Sequence, residues 1–227
     1  MIKLITDYPI AVESDDHIHP DGIYLDNNIN YMFVANVEKH FKNNKINMLD
    51  LGCAGGALVC RMTERGHNVV GLEGSDHCVN VREEAVKHHN ILPLGLKNWA
   101  QYHNSRLFTC DVTKQYQLLL NNSPMKFDLI TCFDVMEHFH EHELDMFFKM
   151  IQYHLKPEGI FVASIALFDL IKNGGVNWHK SVYSKVWWAE TNSKYLKEIP
   201  YPFSITNRNE KFDRVNNDLY IYSGMLK

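Results

Sequence analysis

The residues with the most distinctive chemical pattern lie at positions 50–56, where the sequence reads DLGCAGG. Glycines at a turn between a strand and a helix let a ligand approach the backbone closely and permit positive φ angles. In a dinucleotide site the glycines follow the order GxGxxG, and the acidic residue comes about 20 residues later. Here Asp50 precedes the glycines, and a carboxylate at that position repels a pyrophosphate. The pattern therefore favours a positively charged ligand over a dinucleotide.

A second group of side chains offers acid–base chemistry. Glu137 and His138 follow the apolar run at positions 127–133, and the pair Trp178-His179 stands on a glycine-containing loop. An imidazole titrates near neutral pH and can take the proton of a nucleophilic hydroxyl group. A hydrogen-bonded loop histidine explains the residue type at position 179 equally well.

Three histidines near position 140 raise the alternative of a metal site. His138 and His142 are four residues apart and share a face if the segment is helical, with His140 between them. Glutamates alternate with these histidines, which is typical of the solvated start of a helix. The sequence therefore predicts no metal site.

The elements that must hold these residues alternate in type along the chain. Apolar runs and turn residues predict strands at 46–50, 68–73, 107–110, 127–133, 159–165 and 218–226, and helices at 31–43, 57–65, 76–89 and 141–155. The turn at 156–159 contains Pro157 and Gly159 and is predicted to end the last helix and start the next strand. Helices between short strands indicate a parallel sheet covered on both faces, which is a doubly wound α/β fold.

In its first motif the chain resembles the class I S-adenosylmethionine-dependent methyltransferases. Gly52 and Gly56 match the outer glycines of that family's DxGxGxG turn, and Ala54 stands where the middle glycine usually does. S-adenosylmethionine carries an ammonium and a sulfonium, which suits the carboxylate of Asp50. The resemblance implies a Rossmann-like sheet of seven strands, mostly parallel, with an antiparallel C-terminal strand.

Further matches to the family follow in order along the chain. The resemblance implies that Glu73 accepts hydrogen bonds from the two ribose hydroxyls of the cofactor, and that Asp111 accepts one from the adenine amino group. It also implies that Glu137-His138 lies beside the transferable methyl group. The cofactor-binding residues implied in this way are Asp50, Gly52, Cys53, Ala54, Gly56, Glu73, Gly74, Ser75, Cys110, Asp111, Val112 and Phe133.

The acceptor is expected to bind outside this shared half. The loop at 173–183 is one candidate, and the polar opening at 21–31 is a candidate lid. A hydroxyl nucleophile must lose a proton, and His179 is the predicted base, with Glu137 or His138 in reserve. Trp187 and Trp188 are predicted to pack the C-terminal helix rather than to bind substrate.

Composition limits the partners. The 227 residues carry 23 Lys and Arg against 27 Asp and Glu, a net charge of −4, so the basic surface of a nucleic-acid-binding or membrane-surface protein is not expected. No stretch approaches the roughly 18 apolar residues of a membrane span. The first 13 residues lack the features of a secretion signal, which predicts a cytoplasmic protein. The five cysteines form no CxxC pair and are predicted to be small buried core residues.

These observations predict a single methyltransferase domain over 1–227. Its parts are an N-terminal helical lid and acceptor region (1–45), a cofactor-binding core (46–165), and an acceptor loop with C-terminal strands (166–227). The resemblance to small methyltransferases found beside glycan-building enzymes implies O-methylation of a sugar or sugar nucleotide. The alternatives are N-methylation of a small amine, a non-catalytic cofactor-binding domain, and an NAD-dependent or nucleotide-sugar oxidoreductase, which the position of Asp50 disfavours.

Overall fold

The structure is a computed structural model that describes residues 1–20, 23–80, 93–172, 174–203 and 218–227. The strands are β1 (Ile2–Thr6), β2 (Asn47–Leu51), β3 (Asn68–Glu73), β4 (Leu107–Thr109), β5 (Tyr116–Leu120), β6 (Ser123–Pro124), β7 (Phe127–Phe133), β8 (Leu155–Ala166), β9 (Leu196–Glu198) and β10 (Leu219–Leu226). The helices are α1 (Asp15–Ile18), α2 (Tyr31–His40), α3 (Ala57–Glu64), α4 (His77–Asn80), α5 (Leu94–Tyr102), α6 (Leu144–His154) and α7 (Lys185–Ser193), with 3₁₀ turns at Met136–His138 and Glu141–Glu143.

Seven strands form the main sheet, in the order β4-β3-β2-β7-β8-β10-β9. The pairs β3/β4 and β7/β8 are parallel, whereas β10 runs antiparallel to both β8 and β9. Parallel neighbours need crossover connections, and helices supply them here. The predicted doubly wound α/β fold, mostly parallel with an antiparallel C-terminal end, is confirmed. No helix within the described residues is long and apolar enough to cross a membrane.

The chain divides into two compact units. The first unit comprises Met1–Ile29 and Leu49–Met125, and the second comprises Asn30–Met48 and Lys126–Lys227. The predicted single domain and its three functional regions remain predictions.

In the first unit, strand β3 and helix α3 approach each other closely at Gly71. A Cβ atom on this residue would lie 2.7 Å from both Cys53 Sγ and Val59 Cγ2. Only glycine therefore permits this distance between the strand and the helix. Val69 and Val70, which precede Gly71 in β3, are fully buried, as expected for a strand covered on both faces.

The first unit also contains a three-stranded antiparallel sheet that the sequence patterns did not predict. Its order is β1-β5-β6, with Ile2 opposite Leu120 and Thr6 opposite Tyr116. The two main strands lie more than a hundred residues apart in the sequence, so no short-range pattern marks their pairing.

In the second unit, the boundary between α6 and β8 differs from the prediction. The helix ends at His154, and β8 starts at Leu155 and includes positions 156–159, which were predicted to form a turn. Phe127 pairs with Leu155 but Leu129 pairs with Ile160, so these positions form a bulge in the strand. Pro157 and Gly159 are residue types that strands accept at bulges, and Lys156 Nζ lies 2.8 Å from Asp128 Oδ1 on β7.

The other helix boundaries are close to the predicted ones. Helix α2 ends at His40 rather than at 43, because Lys42 and Asn43 adopt positive φ angles of 52° and 58°. Of the helix predicted at 76–89, α4 covers His77–Asn80, and positions 81–92 lie outside the described residues. In α7 the ring of Trp188 is fully buried, which confirms its predicted packing role. All five cysteines are buried, as predicted.

Candidate functional site

The glycine turn between β2 and α3 contains residues with positive φ angles. Gly52 and Gly56 adopt φ angles of 70° and 76°, in the left-handed region that favours glycine. Ala54, which replaces the family's middle glycine, also has a positive φ of 43°. Left-handed backbone costs a residue with a Cβ about 1–2 kcal/mol, so the turn is strained at Ala54.

We expect Ala54→Gly to stabilise the protein. Relief of the left-handed strain exceeds the extra backbone entropy of glycine, which leaves a gain of about 0.5–1 kcal/mol in unfolding free energy. For a chain of this length such a gain raises the thermal midpoint by roughly 1–4 °C. Thermal unfolding followed by circular dichroism measures the shift.

The matched control for this change is Ala57→Gly at the start of α3. Ala57 is helical, so the same substitution there should lower the midpoint. A midpoint that falls equally in both variants would show that Ala54 is not strained.

The carboxylate of Glu73 is fixed next to this turn, at the end of β3. Its Oε2 accepts a hydrogen bond from Ala54 N at 2.8 Å, and its Oε1 accepts one from Ser75 N at 3.1 Å. Only 7% of the residue is exposed, and this burial raises the pKa of Glu73 from 4.5 to about 7 despite those hydrogen bonds. Near neutral pH the group therefore divides between its charged and neutral forms.

A second buried carboxylate adds negative charge at the same turn. Asp50, at 6% exposure, follows Leu49 in β2. The pKa of the Cys53 thiol is raised well above its usual value, first by burial and then by the charges of Glu73 and Asp50. Both carboxylates therefore act on one point of the turn, which is a negative environment suited to a cationic ligand.

The residues that follow β3 and β4 complete the predicted cofactor region. Ser75 is buried, and its Oγ accepts a hydrogen bond from His77 N at 3.2 Å. The backbone oxygen of Gly74 accepts a hydrogen bond from Ala11 N at 2.8 Å. Cys110 N donates to Glu73 O at 2.8 Å, which holds the ends of the two strands together.

The carboxylate of Asp111 accepts hydrogen bonds within its own turn. Its Oδ1 accepts hydrogen bonds from Thr113 N at 2.9 Å and from Thr113 Oγ1 at 2.6 Å, and its own N–H donates to Tyr8 O at 3.0 Å. The next residue, Val112, is buried. A contact between Asp111 and adenine remains a prediction.

The structure reveals a network around the glycine turn that the motifs did not indicate. The Asn98 side-chain amide in α5 donates to Gly55 O at 2.8 Å and to Asn27 Oδ1 at 3.0 Å. Gly55 N donates to Asp26 O at 3.0 Å, and Trp99 Nε1 donates to Ala54 O at 2.7 Å. Part of the predicted lid, whose positions 21 and 22 lie outside the described residues, is therefore bonded to the turn.

We expect Asn98→Ala to weaken cofactor binding. Loss of two hydrogen bonds, each contributing about 0.5–1.5 kcal/mol, loosens the turn and should raise the Kd for S-adenosylhomocysteine by roughly 5- to 150-fold. Isothermal titration calorimetry measures the change. Gln101→Ala is the matched control, since it removes an exposed amide from the same helix. Equal affinities of the two variants would contradict a role for the network.

The predicted acid–base residues lie in the second unit, after β7. Glu137 belongs to the 3₁₀ turn Met136–His138 and is fully buried. Its Oε1 accepts a hydrogen bond from Ala166 N at 2.9 Å. Its backbone oxygen accepts from Lys180 N at 2.7 Å and Ser181 N at 3.0 Å. These bonds hold the loop around position 180 against the turn.

His179, on that loop, has a defined ring orientation. Its Nδ1 lies 2.6 Å from Phe168 O, and its backbone N donates to Asn177 Oδ1 at 3.1 Å. A carbonyl oxygen only accepts hydrogen bonds, so Nδ1 carries the hydrogen. Nε2 of the neutral ring then has a lone pair that can accept a proton or bind a cation. The residue is only 5% exposed.

The structure brings the three predicted acid–base residues together. One potential ligand atom from each of Glu137, His138 and His179 lies within 4.8 Å of the other two. The rings of His138 and His179 meet edge to face with centroids 4.9 Å apart. Positions about 40 residues apart in the sequence thus form one cluster of a carboxylate and two imidazoles.

Other side chains predicted near the acceptor have different surroundings. Trp178 is buried, with Lys172 Nζ 4.9 Å from the centroid of its ring, so its flat face is not open to a substrate. Position 173, in the predicted acceptor loop, lies outside the described residues. Phe133, predicted to bind the cofactor, is in the second unit, where its ring meets that of Phe33 at 5.3 Å. A contact between Phe133 and the cofactor remains a prediction.

A surface hollow is lined by residues that are close in sequence to this cluster. It has a volume of about 550 Å³ and is lined by His140, Glu141, His142, Lys180 and Tyr183. The rings of His140 and His142 stack with centroids 5.6 Å apart, and both residues are exposed. The first turn after His140 is 3₁₀ rather than α-helical, so the shared α-helical face considered for His138 and His142 is not formed.

Comparison with known proteins gives one match to a family and several to individual proteins. A family model described as a methyltransferase domain matches residues 25–212. The mitochondrial ubiquinone biosynthesis O-methyltransferase of Schizosaccharomyces pombe is 32% identical over 124 residues, which are 55% of this chain and 38% of that protein. The chain therefore spans about two fifths of the length of this curated relative.

Solved structures resemble the chain over most of its length. One is the 1,6-didemethyltoxoflavin-N1-methyltransferase of Burkholderia thailandensis, with a TM-score of 0.57 at 15% identity, covering 94% of this chain and 84% of that one. Another is a TehB-like S-adenosylmethionine-dependent methyltransferase of Corynebacterium glutamicum, with a TM-score of 0.53 at 15% identity, covering 92% and 94%. At these identities the likeness shows the fold alone.

Proposed function

The chain belongs to the methyltransferase domain family, with S-adenosylmethionine as cofactor, and we propose that it transfers the methyl group of this cofactor to a hydroxyl of a small polar acceptor. The narrower proposal is that the acceptor is a sugar or a nucleotide sugar. The observation that carries the choice of a hydroxyl is the cluster of Glu137, His138 and His179.

The cofactor half of the proposal rests on the glycine turn. The buried carboxylates of Asp50 and Glu73 create a negative environment, and S-adenosylmethionine carries two positive charges next to one carboxylate. The oxygens of Glu73 are already oriented by backbone N–H groups and can accept hydrogen bonds from ribose hydroxyls when the group is charged.

The acceptor half of the proposal rests on proton chemistry. The sulfonium is a good leaving group, so the protein mainly orients the two reactants, which contributes about 7–11 kcal/mol in favourable cases. A hydroxyl oxygen must also lose its proton as the methyl group arrives. Nε2 of His179 has the lone pair for that step, and Phe168 O fixes the ring. The transfer yields a methyl ether and S-adenosylhomocysteine.

The proposed acceptor class is supported by the hollow at His140. Its lining of two imidazoles, a carboxylate, an ammonium and a phenol offers hydrogen bonds to a molecule with many hydroxyl groups. The Schizosaccharomyces pombe relative is named as an O-methyltransferase, which agrees with an oxygen acceptor.

N-methylation of a small amine is the second candidate. The Burkholderia thailandensis neighbour, which shares the fold, is named as an N-methyltransferase. A neutral amine needs little base catalysis, so loss of the His179 imidazole would leave its turnover largely intact. A protein that binds the cofactor without catalysis would show turnover on neither class.

The experiment that tests the proposal is a screen for release of S-adenosylhomocysteine. Purified protein is assayed with monosaccharides, nucleotide sugars and small amines, each with and without a chelator. Turnover on hydroxyl acceptors supports the proposal. Turnover on amines alone, or tight cofactor binding with no turnover on any acceptor, would contradict it.

A further inference from the structure

We propose that Glu137, His138 and His179 bind a divalent first-row transition-metal cation, with zinc as the representative ion, and that this cation binds the acceptor hydroxyl. The inference rests on the proposed function for the identity of the acceptor, but the metal site itself depends only on the cluster. It departs from the sequence-based prediction, in which the same three residues act without a metal.

The three side chains of the cluster are near enough to converge on one ion. The three potential ligand atoms lie within 4.8 Å of one another. In a tetrahedral zinc site with bonds of about 2.0–2.1 Å, ligand atoms are about 3.3 Å apart. The three atoms must therefore approach one another by up to about 1.5 Å to bind one ion.

The surroundings of the cluster already orient two of the ligands. His179 Nδ1 donates to Phe168 O, which is the usual arrangement for a metal-binding histidine, and Nε2 is left as the ligand atom. Glu137 accepts a hydrogen bond from Ala166 N through Oε1, which fixes the direction of its carboxylate. Backbone bonds from positions 180 and 181 to Glu137 O hold the two segments together.

The type of the ligands selects the class of cation. Two imidazoles and one carboxylate favour zinc and its neighbours in the first transition row, whereas Mg²⁺ and Ca²⁺ prefer sites made only of oxygen. Three protein ligands leave a coordination position open, as in catalytic zinc sites. Glu137 is fully buried and His179 is 5% exposed, whereas His138 is half-buried.

A cation at this position changes how the acceptor is activated. The acceptor oxygen occupies the open position, its O–H becomes more acidic, and the proton passes to water. The oxygen then forms a bond to the methyl carbon while the carbon–sulfur bond breaks and sulfur keeps the electron pair. His179 serves as a ligand in this arrangement, not as the proton acceptor.

Metal titration of the full-length protein tests the site directly. After treatment with a chelator, the protein is titrated with Co²⁺ and followed by visible absorption, and then with Zn²⁺ and followed by calorimetry. We expect one ion per chain, with an affinity lowered by at least roughly 100-fold in His138→Ala and His179→Ala. His140→Ala and His142→Ala should bind as the wild type does, because these exposed rings are outside the cluster.

Two further measurements separate a lost site from a lost fold. Zn²⁺ should raise the thermal midpoint of the wild type and of His142→Ala but not of His138→Ala. His138→Ala should keep its affinity for S-adenosylhomocysteine, which shows that the protein is folded. Unchanged Co²⁺ spectra in both His138→Ala and His179→Ala would overturn the site, as would no binding up to about 1 mM Zn²⁺.

The failure of this inference can be told apart from failure of the proposed function. Turnover on a hydroxyl acceptor that survives complete removal of metal would overturn the role of the cation and leave the proposed reaction standing. One bound zinc per chain that is lost in His138→Ala would support the site even if hydroxyl acceptors were not methylated.

Discussion

His179→Ala is expected to lower kcat/KM for a hydroxyl acceptor by about 10²- to 10⁴-fold. The variant removes Nε2. This atom has an available lone pair because Nδ1 carries the hydrogen and donates it to Phe168 O. The same loss follows whether Nε2 accepts the proton or binds a cation, because both activate the acceptor oxygen. Initial rates of S-adenosylhomocysteine release at several acceptor concentrations measure the effect.

The affinity for the cofactor should not change with this substitution. S-adenosylhomocysteine is expected to bind His179→Ala within about twofold of the wild type, by calorimetry. His40→Ala is the control, since it removes an exposed imidazole from the end of α2. Full turnover on a hydroxyl acceptor in His179→Ala would rule out this role, and turnover retained on an amine would favour N-methylation.

The second large effect is expected from the pH dependence of cofactor binding. Burial raises the pKa of Glu73 from 4.5 to about 7, and its predicted role, accepting hydrogen bonds from the ribose hydroxyls, is best filled by the charged carboxylate. Below pH 7 the ligand must displace a proton, so the Kd for S-adenosylhomocysteine should rise by up to about tenfold for each unit of pH. Above about pH 8 the Kd should become constant.

The raised pKa of Glu73 also predicts how the stability of the ligand-free protein changes with pH. A carboxyl group whose pKa is raised on folding favours the neutral form, so its contribution to stability is complete below pH 4.5 and is lost as the pH rises through about 7. Cofactor binding and intrinsic stability therefore depend on the pH in opposite directions. Thermal midpoints measured with and without S-adenosylhomocysteine across this range test both signs.

Glu73→Gln is the variant for this prediction. It cannot ionise, so its Kd should be higher than that of the wild type at pH 8 by roughly 10- to 100-fold and should not vary between about pH 6 and pH 8. Glu64→Gln, at an exposed position in α3, is the matched control and should keep the wild-type profile. If the Kd of Glu73→Gln still varied with pH, the pH dependence would arise from another group.

Much of the cofactor region follows from local pattern. The apolar run before Asp50 and the glycines after it predict the strand, the turn and the helix, because each depends on neighbouring residues and on φ angles that Gly52 and Gly56 allow. The strand that ends at Glu73 was predicted in the same way. The packing role of Trp188 was predicted from its residue type, and the burial of its ring confirms it.

Sequence patterns did not predict several long-range contacts. Asn98 and Asn27 are 71 residues apart and carry no motif, yet both hold the glycine turn. The bulge at 156–159 belongs to the register of β8 on β7, whereas the local pattern of Pro157 and Gly159 predicts a turn. Each of these depends on strand register or on a distant partner.

The sequence by itself determined the α/β class, the alternating strands and helices on either side of the glycine turn, and that turn itself, because periodicity and backbone preference act over a few residues. Only the tertiary structure decided the pairing of β1 with β5 and the meeting of Glu137 and His138 with His179. Such contacts depend on which segments fold against each other, and the packing of the whole chain, rather than any short pattern, selects them.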